Sequence, residues 1–164
     1  MNSGSFGHRK MAPVFLYAPE DFHNLCLLAR TLEVFGQREC HVFDPHHIVR
    51  ERYGKVRSRE LRAVSAGAFE KVHWLRVQEP EGFLASHQGR VIATVLDQAA
   101  VPLAEHRFAS ADLILFGSER HGLPPQVVAG SSAAVTIPVL GQTQSLNLAV
   151  ALGIVLFERQ RQLT

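Results

Sequence analysis

Short apolar runs rich in β-forming residues alternate with segments of helical periodicity along nearly the whole chain, and this alternation limits the folds it can adopt. Pro13–Ala18 reads PVFLYA, which predicts a first strand closed by Pro19. Asn24–Phe35 then repeats apolar residues at the spacing of one helical face and stops at Gly36, which predicts an amphipathic helix. The chain therefore opens as a strand followed by a helix.

The same pattern continues to the C-terminus. It predicts five more strands, at Cys40–Phe43, His73–Val77, Arg90–Leu96, Asp112–Phe116 and Ala134–Ile137. It predicts four more helices, at Ser58–Ser65, Glu81–His87, Pro124–Val128 and Leu146–Arg161. Strands that are apolar throughout are typical of a parallel sheet buried between helices. We therefore predict one α/β domain over residues 12–164, with a mainly parallel six-stranded sheet, helices on both faces and a disordered tail at 1–11.

The composition argues against several classes of protein. No apolar run approaches the roughly 18 residues that a membrane helix needs, and the polar first residues are not a signal peptide, so we expect a cytoplasmic protein. Cys26 and Cys40 are too few for a disulfide framework and lie in apolar stretches, which predicts buried free thiols. The nine histidines show no zinc-site spacing, so we expect no metal.

Positive charge is concentrated in one segment, although the net charge is only +2. This segment carries +4, which leaves −2 for the rest of the chain, and its basic residues are Arg50, Arg52, Lys55, Arg57, Arg59 and Arg62. Such an excess is what contacts with nucleic-acid phosphates require. A solvated helix face or loop explains the charges equally well.

Parallel sheets bind ligands beyond the carboxyl ends of their strands, which directs attention to the turn after the fifth strand. Gly117 and Gly122 flank Glu119 there, so the backbone can approach a ligand closely, and Glu119 is either a functional acid or an exposed loop residue. The turn lacks the Lys-Ser/Thr of a P-loop and the three glycines of the dinucleotide fingerprint. A nucleotide-dependent oxidoreductase is therefore disfavoured.

The turn after the sixth strand leads from Gly141 to Ser145-Leu146-Asn147. Ser145 can cap the last helix. Asn147 has poor helical propensity in the first turn of an apolar helix, which favours a positioning role. No G-x-S-x-G elbow is present, which disfavours an α/β-hydrolase.

The first helix adds Asn24 and, six residues later, Arg30. A helical arginine commonly snorkels or pairs with a neighbour such as Glu33. If Arg30 faces the ligand crevice instead, its fork suits a phosphate or a developing alkoxide.

These segments resemble the three motifs of the SpoU family of SPOUT methyltransferases. The family's N-x-G-x-x-x-R-T then F-G is matched from Asn24 to Gly36, its G-x-E-x-x-G-[LIM] by Gly117–Leu123, and its I-P-x-x-G-x-x-x-S-L-N by Ile137–Asn147. One position departs, because Cys26 stands where the family has glycine. Cysteine is small, so we expect the helix packing to survive, with a narrower approach at that point.

The resemblance implies a fold and an assembly that the residues alone do not give. Family members carry a deep C-terminal trefoil knot that holds S-adenosyl-L-methionine (SAM). They are homodimers whose active sites combine both subunits. The expected partners of this chain are accordingly RNA and a second copy of itself.

The resemblance also implies roles for individual residues. Arg30 corresponds to the catalytic arginine, and Asn24, Glu119, Ser145 and Asn147 to the polar residues that orient it and the ribose. The expected SAM-binding residues are Thr94, Val95, Leu96, Gly117, Ile137, Gly141 and Leu146.

The expected activity is SAM-dependent 2′-O-methylation of RNA ribose. The stretch Leu28–Gly36 and the SLN of the third motif look more like the branch that methylates guanosine 18 of tRNA. The branch that acts on the tRNA wobble position is closer in length, and rRNA is a further alternative. A catalytically silent RNA- or SAM-binding member of the fold remains a rival of another class.

Overall fold

The fold is described from a computed structural model over residues 13–51, 58–142 and 145–164. Its strands are β1 Val14–Tyr17, β2 Glu39–Phe43, β3 His73–Arg76, β4 Val91–Thr94, β5 Val101–Pro102, β6 Leu113–Phe116 and β7 Ala133–Thr136. Its α-helices are α1 Phe22–Val34, α2 Ile48–Glu51, α3 Ser58–Ser65, α4 Pro80–Ser86, α5 Pro125–Ala129 and α6 Leu148–Leu163, with a 3-10 turn at Phe69–Lys71. The predicted tail at 1–11 lies outside the described residues.

All seven strands belong to one sheet in the order β3-β2-β1-β6-β4-β7-β5, and every neighbouring pair is parallel. The predicted parallel sheet is confirmed, but the predicted count of six strands is wrong. The additional strand, β5, has two residues and lies at the sheet edge, where a proline is tolerated because no neighbour needs its missing N–H. Two residues are too few to produce a periodic signal.

Helices cover both faces of the sheet, as the sequence predicts. Successive strand residues point to opposite faces, so Val14 and Leu16 pack with the buried side of α1 and α6. Phe15, between them, packs in a second core with Val127 of α5 and Phe83 of α4. The two cores hold the strands rigidly, so the loops at the carboxyl ends of the strands have fixed starting points.

Helix α1 has defined signals at both ends. Asp21 is its N-cap, and the Asp21 carboxylate accepts a hydrogen bond of 2.7 Å from the backbone N–H of Asn24. After the helix, Gly36 adopts a left-handed conformation with φ of +71°, which glycine does at little cost. Helix α1 therefore begins directly after the loop that follows β1.

Helices α1 and α6 lie side by side on the same face of the sheet. Gly153 of α6 faces α1 there, and an added Cβ would lie 3.5 Å from the Thr31 methyl carbon, which is an ordinary van der Waals contact. An alanine would therefore fit at this position, so the contact with α1 does not require the glycine, which weakens α6 as an isolated helix.

Candidate active site

A cavity of about 710 Å³ opens beyond the carboxyl ends of β4, β6 and β7, three adjacent strands. Its lining comprises the segment after β4, the turn after β6, the end of β7 and the start of α6. The walls are largely apolar, with Leu96, Ile137, Leu146 and Val155 among them. This size and composition suit a drug-sized ligand.

The turn after β6 is rigid because its backbone closes on itself. Ser118 donates its N–H to the carbonyl of Gly122 at 3.1 Å, and Gly122 returns a bond of 3.0 Å to the carbonyl of Ser118. A Cβ at Gly117 would overlap the backbone of Gly122 and Leu123, and Gly122 itself has φ of +65°. The two glycines thus serve different needs, close approach at Gly117 and a left-handed backbone at Gly122.

Glu119 points inward from this turn and fastens it to the start of α1. Its carboxylate accepts the backbone N–H of Glu20 at 2.9 Å and that of Asp21 at 3.3 Å. It also accepts a bond of 3.2 Å from the side-chain amide of Asn24. The half-buried carboxylate is therefore held by three donors, and its first role is to position other groups.

Asn147 extends this chain of hydrogen bonds to the third motif. Its side-chain N–H₂ donates to the side-chain oxygen Oδ1 of Asn24 at 2.8 Å, across 123 positions of sequence. Its own oxygen accepts the backbone N–H of Ala149 at 2.9 Å, so Asn147 is the N-cap of α6. The prediction that Ser145 caps this helix is wrong, because α6 begins at Leu148. Ser145 is exposed and lines the cavity.

Most residues predicted to bind the cofactor line the cavity. Thr94, Val95 and Leu96 form the wall after β4, facing Gly117, Ile137 and Leu146. The hydroxyl of Thr94 donates to the carbonyl of Leu115 at 2.7 Å, which fixes the end of β4 against β6. Gly141 is exposed and is not part of the lining.

Arg30 lies apart from the residues with which the motifs group it. It is exposed and does not line the cavity of its own chain. Six positions separate it from Asn24, which places the two side chains roughly 120° apart around the helix. The alternative pairing with Glu33 is also not formed, since Glu33 binds Lys71 at 2.9 Å. Within the described part of the chain, Arg30 has no hydrogen-bond or ion-pair partner.

The predicted RNA-binding segment is largely outside what the structure describes. Arg52, Lys55 and Arg57 lie outside the described residues. Arg50 belongs to α2 and Arg62 to α3 by their backbones, and Arg59 in α3 is exposed. The segment stays a prediction.

Cys26, which replaces the family's glycine, lies in the core below the site. It is 1% exposed and packs in the cluster that contains Leu25 and Leu28. Burial, with the charge of Asp21 second, raises the pKa of its thiol to about 11. Both Cys26 and Cys40 are free and buried, as the sequence predicts.

Sequence reasoning missed two basic residues of the cavity, Arg120 and His121, both exposed on the turn after β6. The signal was their place inside the second motif, between Glu119 and Gly122. Within the described residues, no group of three or more His, Cys, Asp or Glu side chains could hold a metal. Nor does any helix in those ranges have the length and apolar character to cross a bilayer.

The protein has a parallel sheet with a rigid glycine turn and an apolar cavity at the carboxyl ends of its strands. A chain of hydrogen bonds joins three distant motifs at this cavity. These features define an α/β protein that binds a small cofactor. The model of the SpoU rRNA methylase family matches residues 11–157. The chain belongs to this family, and the resemblance of its three motifs is confirmed.

Individual relatives agree with this assignment. The chain is 34% identical to the tRNA (guanosine(18)-2′-O)-methyltransferase of Thermus thermophilus, over 85% of its own length and 69% of that protein. A structure described as giving insights into the 2′-OH methylation of C/U34 on tRNA is 31% identical, covering 93% of this chain and 96% of that one with a TM-score of 0.76. An AdoMet-bound rRNA methyltransferase from Sinorhizobium meliloti is 25% identical, covering 95% and 60%, with a TM-score of 0.75.

Proposed function

We propose that this protein transfers a methyl group from SAM to a ribose 2′-hydroxyl of RNA. The observation that carries the proposal is the hydrogen-bond chain Glu119–Asn24–Asn147, because it joins the three family motifs at one cavity. The relatives from Thermus thermophilus and Acinetobacter baylyi are a tRNA and a 23S rRNA guanosine 2′-O-methyltransferase. A nucleotide-dependent oxidoreductase is disfavoured, because the chain lacks the three glycines of the dinucleotide fingerprint.

The cavity fits SAM on the chemistry of its walls. The predicted binding residues are Thr94, Val95, Leu96, Gly117, Ile137, Gly141 and Leu146, and all except Gly141 line it. Apolar walls suit a nucleoside and a thioether chain, and backbone groups at the strand ends suit polar atoms. When bound, SAM supplies an activated methyl group, so the protein has to position the acceptor oxygen and assist loss of its proton.

The side of the cavity that receives the acceptor ribose is formed in this proposal by Asn24, Glu119, Ser145 and Asn147. Glu119 and Asn147 use most of their hydrogen-bonding capacity on Asn24 and on the starts of α1 and α6. They fix the geometry, and exposed Ser145 is left to meet the ribose. Pre-fixed groups need no reorganisation when charge develops on the acceptor oxygen.

Arg30 acts as the catalytic arginine from the second subunit of a homodimer. Arg30 and Val34 lie one turn apart on an exposed face of α1, and Val34 is 70% exposed. Neighbouring α6 exposes Val150, Ile154 and Phe157, spaced on one face, with Phe157 62% exposed. In a homodimer, a second copy of the chain buries this apolar surface, and its Arg30 reaches the cavity of the first copy.

We also propose the deep C-terminal knot of the family and a single domain over 12–164.

The substrate is tRNA, modified in the cytoplasm at guanosine 18. The identity to the Thermus thermophilus enzyme, over most of this chain, supports that nucleotide. The wobble nucleotide C/U34 is the second candidate, because the chain covers 96% of the structure associated with that reaction.

Incubation of the protein with methyl-labelled SAM and either bulk tRNA or bulk rRNA tests the activity, with nucleoside analysis of the product. We expect label in tRNA as a 2′-O-methylnucleoside, and none with Arg30→Ala despite unchanged SAM binding measured by calorimetry. SAM binding without transfer would favour the catalytically silent member. NAD binding without SAM binding would favour the oxidoreductase.

A further inference from the structure

A protein that reacts with a ribose 2′-hydroxyl must also accommodate a phosphate beside its cavity. The 2′-oxygen and the 3′-phosphoester oxygen are on neighbouring carbons of the same sugar, so positioning the first fixes the second nearby. A phosphate is commonly bound by helix N-termini, by backbone amides or by basic side chains.

The two helix N-termini at the cavity are already occupied by groups of the protein. At α1, the Asp21 carboxylate accepts from Asn24, and Glu119 accepts the N–H groups of Glu20 and Asp21. At α6, the side chain of Asn147 accepts from Ala149. A carboxylate at the start of α1 also repels an anion. Basic side chains are therefore the groups best able to bind a phosphate at this cavity, and this chain supplies Arg120 and His121 there, beside the partner's Arg30 in the dimer proposed above.

Arg120 is placed to meet that need. It lines the cavity, and its side chain is 81% exposed. Its one ion pair within the described residues joins its Nε to a Glu20 carboxylate oxygen at 3.6 Å. The terminal nitrogens of its guanidinium carry no hydrogen bond in that part of the chain, so its two-pronged edge stays available to a ligand.

The turn that carries Arg120 is rigid. The paired bonds between Ser118 and Gly122 close it, and the N–H of His121 donates to the Ser118 hydroxyl at 3.2 Å. Glu119 and Arg120 are neighbours in it, and Glu119 turns in to fasten the site while Arg120 stays exposed at the cavity mouth. A rigid base reduces the entropy lost when the side chain is ordered by a ligand.

We propose that Arg120 is a phosphate-binding residue, which holds the backbone phosphate of the nucleotide whose ribose enters the cavity. This inference rests on the proposed function. The carboxylate of SAM presents similar chemistry to an arginine, so the test must separate the two anions.

The test compares wild type, Arg120→Ala, Arg120→Lys and the control Arg38→Ala. Arg38 is also exposed, but it lies at the amino end of β2, whereas the cavity lies beyond the carboxyl ends of the strands. The measurements are tRNA affinity at several salt concentrations and SAM affinity by calorimetry. We expect Arg120→Ala to weaken tRNA binding roughly ten- to hundredfold, as loss of a charge-assisted bond does. The slope of the logarithm of tRNA affinity against the logarithm of salt concentration should be shallower by about one counterion in Arg120→Ala, while SAM affinity is unchanged.

Arg120→Lys should lie between wild type and alanine, because it keeps the charge but loses the paired geometry. The proposal is overturned if Arg120→Ala binds tRNA like Arg38→Ala, or if it loses SAM affinity instead. The proposed methyl transfer is tested independently of Arg120. If wild type binds tRNA but transfers no methyl group to it, the proposed activity is wrong. The comparison of tRNA affinities still decides the role of Arg120.

Discussion

Gly117 owes its place to the closeness of two backbone segments and not to its own dihedral angles. It is absent from the residues with positive φ, whereas a Cβ on it would overlap Gly122 and Leu123. The closure of the turn, and through Glu119 the position of α1, depends on that missing atom.

Gly117→Ala should therefore open the turn, abolish measurable SAM binding and lower the free energy of unfolding by about 1–3 kcal/mol, in the range of overpacked sites. Calorimetry and thermal denaturation measure the two effects. Gly82→Ala is the matched control, because Gly82 lies in α4 with no atom within 4 Å of an added Cβ. It should stabilise the protein by about 0.5–1 kcal/mol. Equal SAM affinity in both variants would refute this explanation of Gly117.

Glu119 offers a second test at this scale. Glu119→Gln replaces one acceptor oxygen with an N–H₂ group that faces donors, so at least one bond to Glu20, Asp21 or Asn24 is lost. We expect a loss of stability of about 1–3 kcal/mol together with a lower kcat. The control is Glu105→Gln, at an exposed site that does not line the cavity. A Glu119→Gln enzyme with a lower kcat but wild-type stability would assign Glu119 to the chemical step alone.

Sequence reasoning at the residue scale identified the polar members of the site but not their bonds. Asn147 was recognised because an asparagine is poorly suited to an apolar helix, and it is an N-cap that also holds Asn24. Capping by Ser145 was wrong because local propensity cannot tell which of two nearby polar residues ends the loop. Arg120 was missed although it stands inside the second motif, because the motif leaves its position unspecified and an exposed arginine in a loop has no other distinguishing pattern.

At the scale of elements, periodicity performed well wherever a segment was long enough. The prediction for α3, Ser58–Ser65, matches the structure residue for residue, and β1–β3 agree within a residue or two. β5 and α2, with two and four residues, escaped because their length is close to one period. Strand order could not be predicted, because it depends on contacts between distant segments.

A prediction about elements concerns α1, which bears Arg30, and α6, whose N-cap is Asn147. If Arg30 serves the partner's cavity, mixed dimers of Arg30→Ala and Asn147→Ala chains contain one intact site. Random pairing makes half of the dimers mixed, so methyl transfer should recover to roughly a quarter of the wild-type rate. Co-expressed chains with two different tags allow the mixed dimer to be purified and assayed.

The matched control mixes Arg30→Ala with wild-type chains that carry the same tags. The share of doubly tagged dimers shows whether pairing is random, and the activity should be half that of wild type. Complete inactivity of the purified mixed dimer would place Arg30 and Asn147 in the same subunit's site. A monomeric wild type in sedimentation would contradict the shared site altogether.

At the scale of the whole molecule, a buried polar network fastens the segment before β6 to the end of α6, opposite the cavity. Asp112, which is 1% exposed, binds Arg90 through two bonds of 2.9 and 2.7 Å. Gln162 of α6 holds the backbone of His106 and Phe108. His106 is buried against Phe108, and burial, with the charge of Arg90 second, lowers its pKa.

A histidine whose pKa is lower in the folded state binds fewer protons there than in the unfolded chain, so stability rises with pH through this range. The free energy of unfolding should accordingly decrease as pH falls from 7 to 5, below the ordinary histidine pKa of about 6.5. His106→Phe should reduce this decrease, as measured by urea unfolding at both pH values. The exposed control, His46→Phe, should follow wild type. An identical decrease in the free energy of unfolding between pH 7 and pH 5 for all three proteins would contradict a role for His106.

The proposed reaction is ribose methylation at one nucleotide of tRNA. Its most direct measurement uses tRNA transcripts with a single 2′-deoxynucleotide, at position 18 or at position 34, incubated with the protein and methyl-labelled SAM. We expect full labelling of the unmodified and 34-deoxy transcripts and none of the 18-deoxy transcript. Loss of labelling only with the 34-deoxy transcript would assign the enzyme to the wobble nucleotide. Undiminished labelling of both deoxy transcripts would contradict methylation of the 2′-oxygen at either position.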